Sequence, residues 1–490
     1  MQAHTVSLQE DPDQADFGMD FHKLPKTTLN TLYTAMESKE REPPFAEAMN
    51  GPNAAKWKRA CEDEIKQQLH NGTWEVVTRK KGMRLLPLKW VLKIKHDGRY
   101  KARLVAKGFR QKYGKDFHEV FAAVAKAMSV KLFFTLAARF GWHLHHIDIV
   151  TAFLNTLVKE EIYIQLPEGH EQPGMCSRLR RAIYGLKQSG RVWFLLSMNF
   201  LLSIGFQQSQ ADHTVFYKGH LYILVYVDDI LLLSNNKSLI KDFLLKLATK
   251  FKYTDNGPVT HFLGMDIEHG PDGIHVHQKA YIKECLQRFG LENSHPVATP
   301  FNNKAPLQAN TEDPDPVRIK AYQEGVGCLI WIMTATRIDI CATVSILSRA
   351  LSNPTKDHMI TLNRVWKYLA GTLNLAIHYS SNPNSPGLHS YCDADWAGPH
   401  SEMARSTSGY IFTLAGGPIS WSSKKQSTVA LLSTESEYIT MALATREALW
   451  IQLLLTEMNV NQKFATPLLL TRPININVDN QSAIALAKNP

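Results

Sequence analysis

The chain has 490 residues, of which 44% are hydrophobic and 20% are charged, and its formal net charge at pH 7 is +10. These apolar side chains can fill the cores of about three domains of roughly 150 residues each, which excludes a mainly disordered protein. No apolar run reaches the length of about 18 residues that a membrane-spanning helix needs. The six cysteines are at least 13 positions apart, so a disulfide framework is not predicted either.

The first predicted segment, residues 1–42, is an acidic tail or linker. Residues 1–40 carry seven acidic side chains against three lysines, and they show no apolar periodicity. A segment of this composition cannot bury enough apolar surface to fold by itself. The basic excess of the chain must therefore lie further along.

The next segment predicts an amphipathic helix and a basic hairpin. Apolar residues recur every four positions from 57 to 69, which is typical of a helix with one buried face. Residues 89–95 and 100–106 predict two strands joined by an Asp-Gly turn at 97–98. Residues 78–115 contain fourteen Lys or Arg residues and one acid, interleaved with aromatic residues. This mixture favours binding to phosphate backbones and exposed bases, and a merely solvated basic face is the alternative.

Two acidic strand ends follow. A strand is predicted over residues 144–149, with Asp148 near its end, and two apolar strands within residues 221–234 meet at Asp228 and Asp229. Adjacent carboxylates at the tip of buried strands repel each other and lose hydration unless a cation compensates them. Mg²⁺ suits this position because it prefers hard oxygen ligands and completes its shell with substrate phosphates. An exposed hairpin turn is the alternative for the Asp-Asp pair taken alone.

The C-terminal part contains another acidic strand. Residues 296–316, rich in Asn, Pro and Asp, predict a linker before it. Asp393 and Asp395 would point to one face of a strand, because side chains alternate along a strand. Strands at 409–414 and 419–423, a helix over about 435–455 and a strand at 474–479 complete the predicted elements.

Short motifs are spread along nearly the whole chain. They are Asn71-Gly72-Thr73-Trp74-Glu75-Val76-Val77, Lys101-Ala102-Arg103-Leu104-Val105-Ala106-Lys107-Gly108-Phe109, Val124-Ala125-Lys126, His146-Ile147-Asp148-Ile149-Val150, Tyr184-Gly185-Leu186-Lys187-Gln188, Tyr226-Val227-Asp228-Asp229, Phe262-Leu263-Gly264-Met265 and Asp393-Ala394-Asp395-Trp396-Ala397-Gly398. Each motif alone would be weak. As a set they resemble the Pol polyprotein of copia-type LTR retrotransposons, over its reverse transcriptase and RNase H parts.

The resemblance implies an α+β fold class, with a right-hand polymerase of fingers, palm and thumb, then a connection region and an RNase H-like α/β domain. Residues 43–295 would form the reverse transcriptase up to the start of the thumb, residues 296–387 a linker and connection region, and residues 388–490 the RNase H-like domain. The family pattern normally continues beyond Pro490 into a segment with His and Asp. We therefore expect the last domain to be truncated at its C-terminus.

The resemblance also implies a two-metal polymerase site. Asp148, Asp228 and Asp229 would hold two Mg²⁺ ions, with Mn²⁺ as an alternative. In this chemistry the cations help to deprotonate the 3′-hydroxyl of a primer and neutralise the triphosphate of the incoming nucleotide.

Four more positions are implied to bind substrate. Arg103 and either Lys93 or Lys95 would clamp the triphosphate, since a guanidinium meets phosphate oxygens in pairs. Phe153 would be a steric gate that excludes a ribose 2′-hydroxyl, and ordinary core packing is its alternative role. Gln188 would contact the template and the nucleotide sugar.

A second two-metal site is implied in the C-terminal domain. Asp393, Glu437 and Asp479 would be its ligands, for cleavage of the RNA strand of a hybrid. Glu437 has an alternative role, because residues 434–437 have the pattern of a capping box, in which the third helical residue reaches back to the N-cap. The expected truncation leaves RNase H activity open.

The implied function is that of an RNA-directed DNA polymerase, a nucleotidyltransferase that copies RNA into DNA. Its partners would be an RNA template, a DNA primer, an RNA–DNA hybrid and deoxynucleoside triphosphates, with no membrane partner. An intracellular location is expected, in cytoplasmic virus-like particles or the nucleus, and the oligomeric state is open. One alternative is a decayed or co-opted fragment that only binds nucleic acid. Another is a standalone metal nuclease that uses the C-terminal carboxylates.

Overall fold

The computed structural model describes residues 43–94, 98–302, 307–398, 404–458 and 474–488. The predicted acidic tail and Lys95 lie outside these residues. Within them, none of the helices combines the length and the apolar character that crossing a bilayer requires.

The protein combines helices with mostly antiparallel strands. Its strands are β1 (Trp74–Thr78), β2 (Leu85–Leu86), β3 (Leu88–Ile94), β4 (Tyr100–Ala106), β5 (His143–Ile149), β6 (Tyr163–Ile164), β7 (Met175–Leu179), β8 (Gln207–Gln208), β9 (Val215–Lys218), β10 (Leu221–Tyr226), β11 (Asp229–Ser234), β12 (Tyr253–Pro258), β13 (His261–Phe262), β14 (Met265–Gly270), β15 (Gly273–His277), β16 (Ile377–Ser380), β17 (His389–Asp395), β18 (Thr407–Leu414), β19 (Gly417–Lys425) and β20 (Ile476–Asn477). Its α-helices are α1 (Phe45–Asn50), α2 (Ala54–His70), α3 (Ala127–Phe140), α4 (Ser189–Ser203), α5 (Lys237–Ala248), α6 (Lys279–Arg288), α7 (Pro316–Ala335), α8 (Cys341–Leu347), α9 (Lys356–Gly371), α10 (Ser433–Glu457) and α11 (Gln481–Lys488).

The largest sheet, here called the central sheet, has six strands in the order β12-β5-β11-β10-β9-β8. The predicted strand pair within residues 221–234 is its β10–β11 hairpin, and the predicted strand at 144–149 is β5. Strands β10 and β11 are apolar along most of their length because both faces of the sheet are covered. One face packs against α4 and α5, and the opposite face contributes to a larger core with α3 and α10.

A separate two-stranded unit, β3–β4, is the predicted basic hairpin. Trp90, Leu92 and Leu104 are buried on one face, in a core that also contains Trp57 of α2. Because side chains alternate along a strand, the residues between them form the opposite, polar face. The predicted turn of this hairpin, at 97–98, falls partly outside the described residues.

The C-terminal sheet has the order β19-β18-β17-β20, in which β17 and β20 run parallel. The long helix α10 packs across β17 and β18. Two predicted strands, at 409–414 and 419–423, are longer in the structure, since β18 and β19 extend to Thr407 and Lys425 through residues that pair with each other.

Helix α10 also contacts the central sheet, so the two sheets share one hydrophobic core. The indole Nε1 of Trp450 donates to the carbonyl of Ala211 at 2.7 Å, and the Tyr222 hydroxyl donates to the carbonyl of Met458 at 2.9 Å. The Glu457 carboxylate accepts the backbone N–H of the residue before Ala211 at 3.0 Å. The C-terminal sheet is therefore fixed to the central sheet by packing and by hydrogen bonds.

The segment between these sheets forms a helical core and a small sheet. Helices α6 to α9 share a core around Trp366 and Tyr322, both of which are almost fully buried. Strand β16 leaves this core and pairs with β15, which completes a sheet of order β13-β14-β15-β16. The predicted linker at 296–316 ends where α7 begins, with Asp315 as its N-cap.

Candidate active sites

The two predicted acidic strand ends lie side by side in the central sheet. Strand β5 pairs antiparallel with β11, and in this register Asp148 is directly opposite Asp229. Side chains of directly opposed residues extend from the same face of a sheet, with their Cβ atoms about 5 Å apart. The N–H of Ile149 donates to the carbonyl of Asp228 at 2.8 Å, which ties the turn to β5. The sheet thus brings Asp148 close to a pair of aspartates that lies eighty residues further along the sequence.

The turn that carries Asp228 has a strained backbone. Val227 has a φ of 55°, which is unfavourable for a β-branched residue. Such a conformation costs on the order of 1–3 kcal/mol and persists only where the surroundings impose it. The buried indole of Trp193 in α4 donates to the carbonyl of Val227 at 2.7 Å. We infer that this bond helps to hold the turn in the orientation that presents Asp228.

Burial and neighbouring charges both shift the pKa of the Asp228 carboxyl. Burial, and then the neighbouring charge of Asp229, raise the pKa of its carboxyl above the ordinary value. Its own backbone N–H, Arg103 and Lys101 act in the opposite direction and lower the pKa. The positive charges of Arg103 and Lys101 on the basic hairpin therefore act on the acidic turn.

Asp229 has a histidine partner. The Nε2 atom of His146 lies 2.9 Å from Oδ1 of Asp229. The amide nitrogen of Asn256 lies 3.3 Å from Nδ1 of the same ring. If Nδ1 accepts this hydrogen bond, the neutral imidazole carries its hydrogen on Nε2 and donates it to Asp229. His146 and Asp148 share a face of β5 because they are two positions apart.

Arg103 and Lys93 lie on the polar face of the basic hairpin. Lys93 is directly opposite Lys101, and Arg103 is opposite Val91. The guanidinium carbon of Arg103 lies 4.6 Å from the ring centre of Tyr184. A cation stacked on a ring is held in place while its N–H groups remain able to bind an anion.

Phe153 contacts the same tyrosine. It lies in a short helical turn, Ala152–Asn155, directly after the acidic strand. Its ring meets Tyr184 edge to face, with centroids 4.7 Å apart. Burial raises the pKa of Tyr184 to about 12, so this ring is neutral at pH 7. Tyr184 therefore links the predicted triphosphate clamp to the predicted steric gate.

Gln188 belongs to the same short motif as Tyr184. It is only 2% exposed. Its amide nitrogen donates to the carbonyl of Asp116 at 2.8 Å, and its carbonyl accepts from Gln111 at 3.0 Å. In this conformation the amide organises the loop around residue 116 instead of facing solvent. A direct contact with a template or a sugar would require these bonds to open.

The C-terminal carboxylates form a compact cluster. Oxygen atoms of Asp393, Glu437 and Asp479 all lie within 4.8 Å of one another. Burial, and in smaller measure the charges of Asp393 and Asp479, raise the pKa of Glu437 to about 7. Its Oε1 accepts the N–H of Ala394 at 3.3 Å, whereas Oε2 is buried with no hydrogen-bond partner among the described residues. An unpaired buried oxygen beside two carboxylates fits a divalent cation with hard oxygen ligands.

The alternative capping role of Glu437 is wrong. Helix α10 begins at Ser433 with Leu432 as N-cap, two residues earlier than the capping-box pattern assumes. The third helical residue is therefore Glu435, and its carboxylate accepts the N–H of Leu431 at 2.7 Å. Glu437 faces β17 instead, because it lies two positions further around the helix.

The carboxylates of the central sheet are arranged less tightly. Three ligand atoms converge within 4.8 Å in two places in the described ranges, and Asp148, Asp228 and Asp229 form neither group. Like charges repel at a buried turn, and Asp229 is hydrogen-bonded to His146. The oxygen donor set still fits Mg²⁺, which binds through one or two carboxylates together with substrate phosphates.

Several residues at this site were not predicted from the sequence. They are Lys101, His146, Tyr184 and Trp193. His146 could have been found from its spacing of two from Asp148 on a strand. The others depend on pairing between distant segments, which carries no local signal.

Comparison with known proteins agrees with the motifs. Residues 71–303 match the family described as reverse transcriptase (RNA-dependent DNA polymerase). The chain is 36% identical to the retrovirus-related Pol polyprotein from transposon TNT 1-94 of Nicotiana tabacum, over 92% of this chain and 35% of that protein. It is 34% identical to a putative transposon Ty5-1 protein of Saccharomyces cerevisiae, over 60% of this chain and 97% of that protein. The chain spans about a third of the length of the Pol polyproteins that it matches.

A solved structure of a foamy viral protease-reverse transcriptase in complex with double-stranded DNA aligns with 97% of this chain and 76% of its own. Its sequence identity is 17% and its TM-score is 0.44, so this likeness carries no weight beside the sequence relatives. Those relatives confirm the family resemblance inferred from the motifs. The chain belongs to the reverse transcriptase family of retrotransposon Pol polyproteins.

Proposed function

We propose that this chain is the RNA-directed DNA polymerase of a copia-type retrotransposon, with the central sheet as palm and the basic hairpin as part of the fingers. The observation that carries the proposal is the register that places Asp148 opposite Asp229, next to a turn where the charge of Arg103 acts on Asp228. Acidic groups at a strand junction with cations facing them suit the transfer of a nucleotide to a primer 3′-hydroxyl.

Each side chain has a definable task in this proposal. Mg²⁺, or Mn²⁺, held by Asp148 and the turn aspartates would supply Lewis-acid stabilisation of the attacking and leaving oxygens. Arg103 binds the triphosphate of the deoxynucleotide through its paired N–H groups, while Tyr184 fixes the guanidinium plane. The ring of Phe153 closes the space next to the sugar C2′, which excludes a ribose hydroxyl.

We propose a second function for the C-terminal sheet, the cleavage of the RNA strand in an RNA–DNA hybrid. The supporting observation is the unpaired Oε2 of Glu437 between Asp393 and Asp479. Two Mg²⁺ ions at this cluster would stabilise the attacking water and the leaving 3′-oxygen. Strand β17 holds Asp393 and helix α10 holds Glu437 on rigid backbone, which limits the motion of these two ligands.

Primer extension tests the polymerase proposal. The purified chain should extend a DNA primer on an RNA template with deoxynucleotides and Mg²⁺. Asp148→Asn and Asp228→Asn should each lower the rate by at least about a hundredfold, because each removes a charge that balances the cation. Asp242→Asn is the matched control, since Asp242 is an exposed acid on α5. Equal extension by Asp228→Asn and the parent would contradict the assignment.

Measuring RNA binding and nucleotide incorporation on the same protein distinguishes an active polymerase from a fragment that only binds nucleic acid. A decayed or co-opted fragment would retain salt-sensitive binding of RNA through the basic hairpin and incorporate no nucleotide. Hybrid cleavage is measured in parallel, with Glu437→Gln as the variant and Glu435→Gln as the control on the same helix. Cleavage that is unchanged by Glu437→Gln would contradict the second function.

A further inference from the structure

The sheet β13–β16 carries a group of histidines and acids that the polymerase proposal does not use. In its register Glu268 is opposite His275, and His275 is in turn opposite His378. Opposed residues share a face, so these side chains lie in one row across the three strands. Asp272 lies in the turn between β14 and β15.

Two imidazoles of this row converge on one carboxylate. The rings of His275 and His378 stack, with centroids 4.4 Å apart and an interplanar angle of 12°. Nε2 of His275 lies 3.2 Å from Oδ2 of Asp272, and Nε2 of His378 lies 3.4 Å from the same oxygen. One ligand atom from each of the three residues lies within 4.8 Å of the others.

These spacings match a metal coordination shell. Four ligands placed tetrahedrally at roughly 2.0–2.1 Å from zinc are about 3.3–3.4 Å from one another. The distances from Oδ2 of Asp272 to Nε2 of His275 and of His378, 3.2 and 3.4 Å, are close to this value. The carboxylate already lies at this distance from both imidazoles, and binding would require the two nearly parallel rings to tilt, because a metal ion lies in the plane of each imidazole that binds it.

The backbone keeps Asp272 in place against β16. Gly273 has a φ of 143°, and a Cβ atom at this position would lie 2.0 Å from the carbonyl oxygen of Tyr379. The turn can therefore approach β16 only because residue 273 is glycine. The N–H of Ser381 donates to the carbonyl of Asp272 at 2.9 Å, and its hydroxyl donates to that of Pro271 at 3.2 Å. The ligands are thus positioned by strands and by a fixed turn.

The donor set selects the class of metal. Two imidazole nitrogens and one carboxylate suit borderline divalent cations such as Zn²⁺, whereas Mg²⁺ and Ca²⁺ prefer all-oxygen sites. The side chains of Asp272, His275 and His378 are 58%, 33% and 40% exposed, so an ion can enter and a water can take the fourth position.

We propose that Asp272, His275 and His378 form a Zn²⁺-binding site that joins the β14–β15 turn to β16. Bound zinc links two segments that are about a hundred residues apart in sequence, and it therefore stabilises this sheet. The site is distinct from both clusters proposed to hold Mg²⁺, and it does not depend on polymerase activity.

Cobalt titration of the full chain tests the site. Co²⁺ is added after chelation, with Mg²⁺ in excess so that the carboxylate-only clusters are filled. The parent should bind one Co²⁺ with the visible absorption of nitrogen-ligated, four- or five-coordinate cobalt, and Zn²⁺ should displace it. His378→Gln and Asp272→Asn should each weaken binding at least tenfold and abolish the rise in melting temperature that Zn²⁺ produces in the parent.

His277→Gln is the matched control, because His277 lies on the same strand and face but is bonded to Glu268 at 2.9 Å and is not in the cluster. It should bind cobalt as the parent does. Far-ultraviolet circular dichroism checks that each variant folds. If His378→Gln does not fold, Asp272→Asn alone tests the site. Absence of saturable one-to-one binding would overturn the proposal, as would parent-like binding by both ligand variants or loss of binding in His277→Gln.

Discussion

His146 and Asp229 face each other across the pair of strands β5 and β11, with 2.9 Å between Nε2 and Oδ1. A hydrogen bond to one carboxylate oxygen fixes the rotamer and leaves the other oxygen for a cation. Partners of this kind commonly change metal affinity or activity by 10- to 100-fold, in order of magnitude. We therefore propose that His146 positions Asp229 for a cation.

The first prediction concerns this pair. His146→Ala should lower the kcat of primer extension about tenfold and raise the Mg²⁺ concentration at half-maximal rate, with little change in the KM for deoxynucleotide. His146→Gln should restore part of the activity, because its amide can donate to Asp229. His143→Gln, at the opposite end of the same strand, is the control. A parent-like Mg²⁺ dependence in His146→Ala would refute the positioning role.

The second prediction concerns discrimination between sugars. Phe153→Val should raise the incorporation of ribonucleotides relative to deoxynucleotides by at least tenfold, because the ring edge no longer blocks a 2′-hydroxyl. Single-nucleotide incorporation with each substrate gives this ratio. Tyr184→Phe keeps the ring that packs on Phe153 and should leave the ratio unchanged. If Phe153→Val loses stability but keeps the ratio, Phe153 is a packing residue only.

The third prediction concerns triphosphate binding. Arg103→Ala should raise the KM for deoxynucleotide on the order of tenfold to a hundredfold, since charge-assisted hydrogen bonds contribute about 1.5–3 kcal/mol. Arg103→Lys should recover only part of this, because an ammonium cannot form the paired bonds. Lys89→Ala is the matched control, on the same face of the hairpin but not among the cations that act on Asp228. Equal KM values for Arg103→Ala and Lys89→Ala would contradict the clamp.

The fourth prediction is a pH dependence at Glu437. In the absence of divalent cations the folded protein holds a proton on this carboxyl up to a pKa of about 7, whereas an ordinary glutamate has a pKa near 4.5. The folded state then binds more protons than the unfolded state between these values, so stability falls as the pH rises from about 4.5 to 7. Glu437→Gln removes this loss. Its stability relative to the parent should therefore grow across that window by at most about 3 kcal/mol.

Urea unfolding at pH 5 and pH 8, with a chelator present, measures this difference. Adding Mg²⁺ at pH 8 should reduce it, because the cation stabilises the ionised cluster. Glu435→Gln, on the first turn of the same helix, should show the same difference from the parent at both pH values. A Glu437→Gln difference that does not vary with pH would exclude the predicted proton.

The fifth prediction follows from the shared core. Ile451 and Leu454 of α10 are fully buried in the same core as Tyr222 and Leu233 of the central sheet. Residues 388–490 in isolation would expose this apolar surface and should not unfold cooperatively. Thermal melting followed by near-ultraviolet circular dichroism tests this. A sharp transition in the fragment would show that the C-terminal sheet folds independently of the central sheet.

The sequence alone determined the local elements and the family. Apolar runs interrupted at Asp228 and Asp229 gave the β10–β11 hairpin, and the alternation around residues 89–106 gave the basic hairpin to within one residue at its described ends. These predictions succeeded because hydrophobic period and turn residues act over a few positions. The motifs identified the family because many short patterns occur in the right order along one chain.

Only the tertiary structure decided which side chains meet. A shift of one residue between β5 and β11 would place Asp148 and Asp229 on opposite faces of the sheet. No local sequence pattern specifies the register that pairs them. The same holds for Arg103 over Tyr184 and for His378 beside Asp272, which are brought together by folding across about eighty and a hundred residues. Such contacts depend on the packing of the whole chain, because their energies compete with every alternative pairing of the strands.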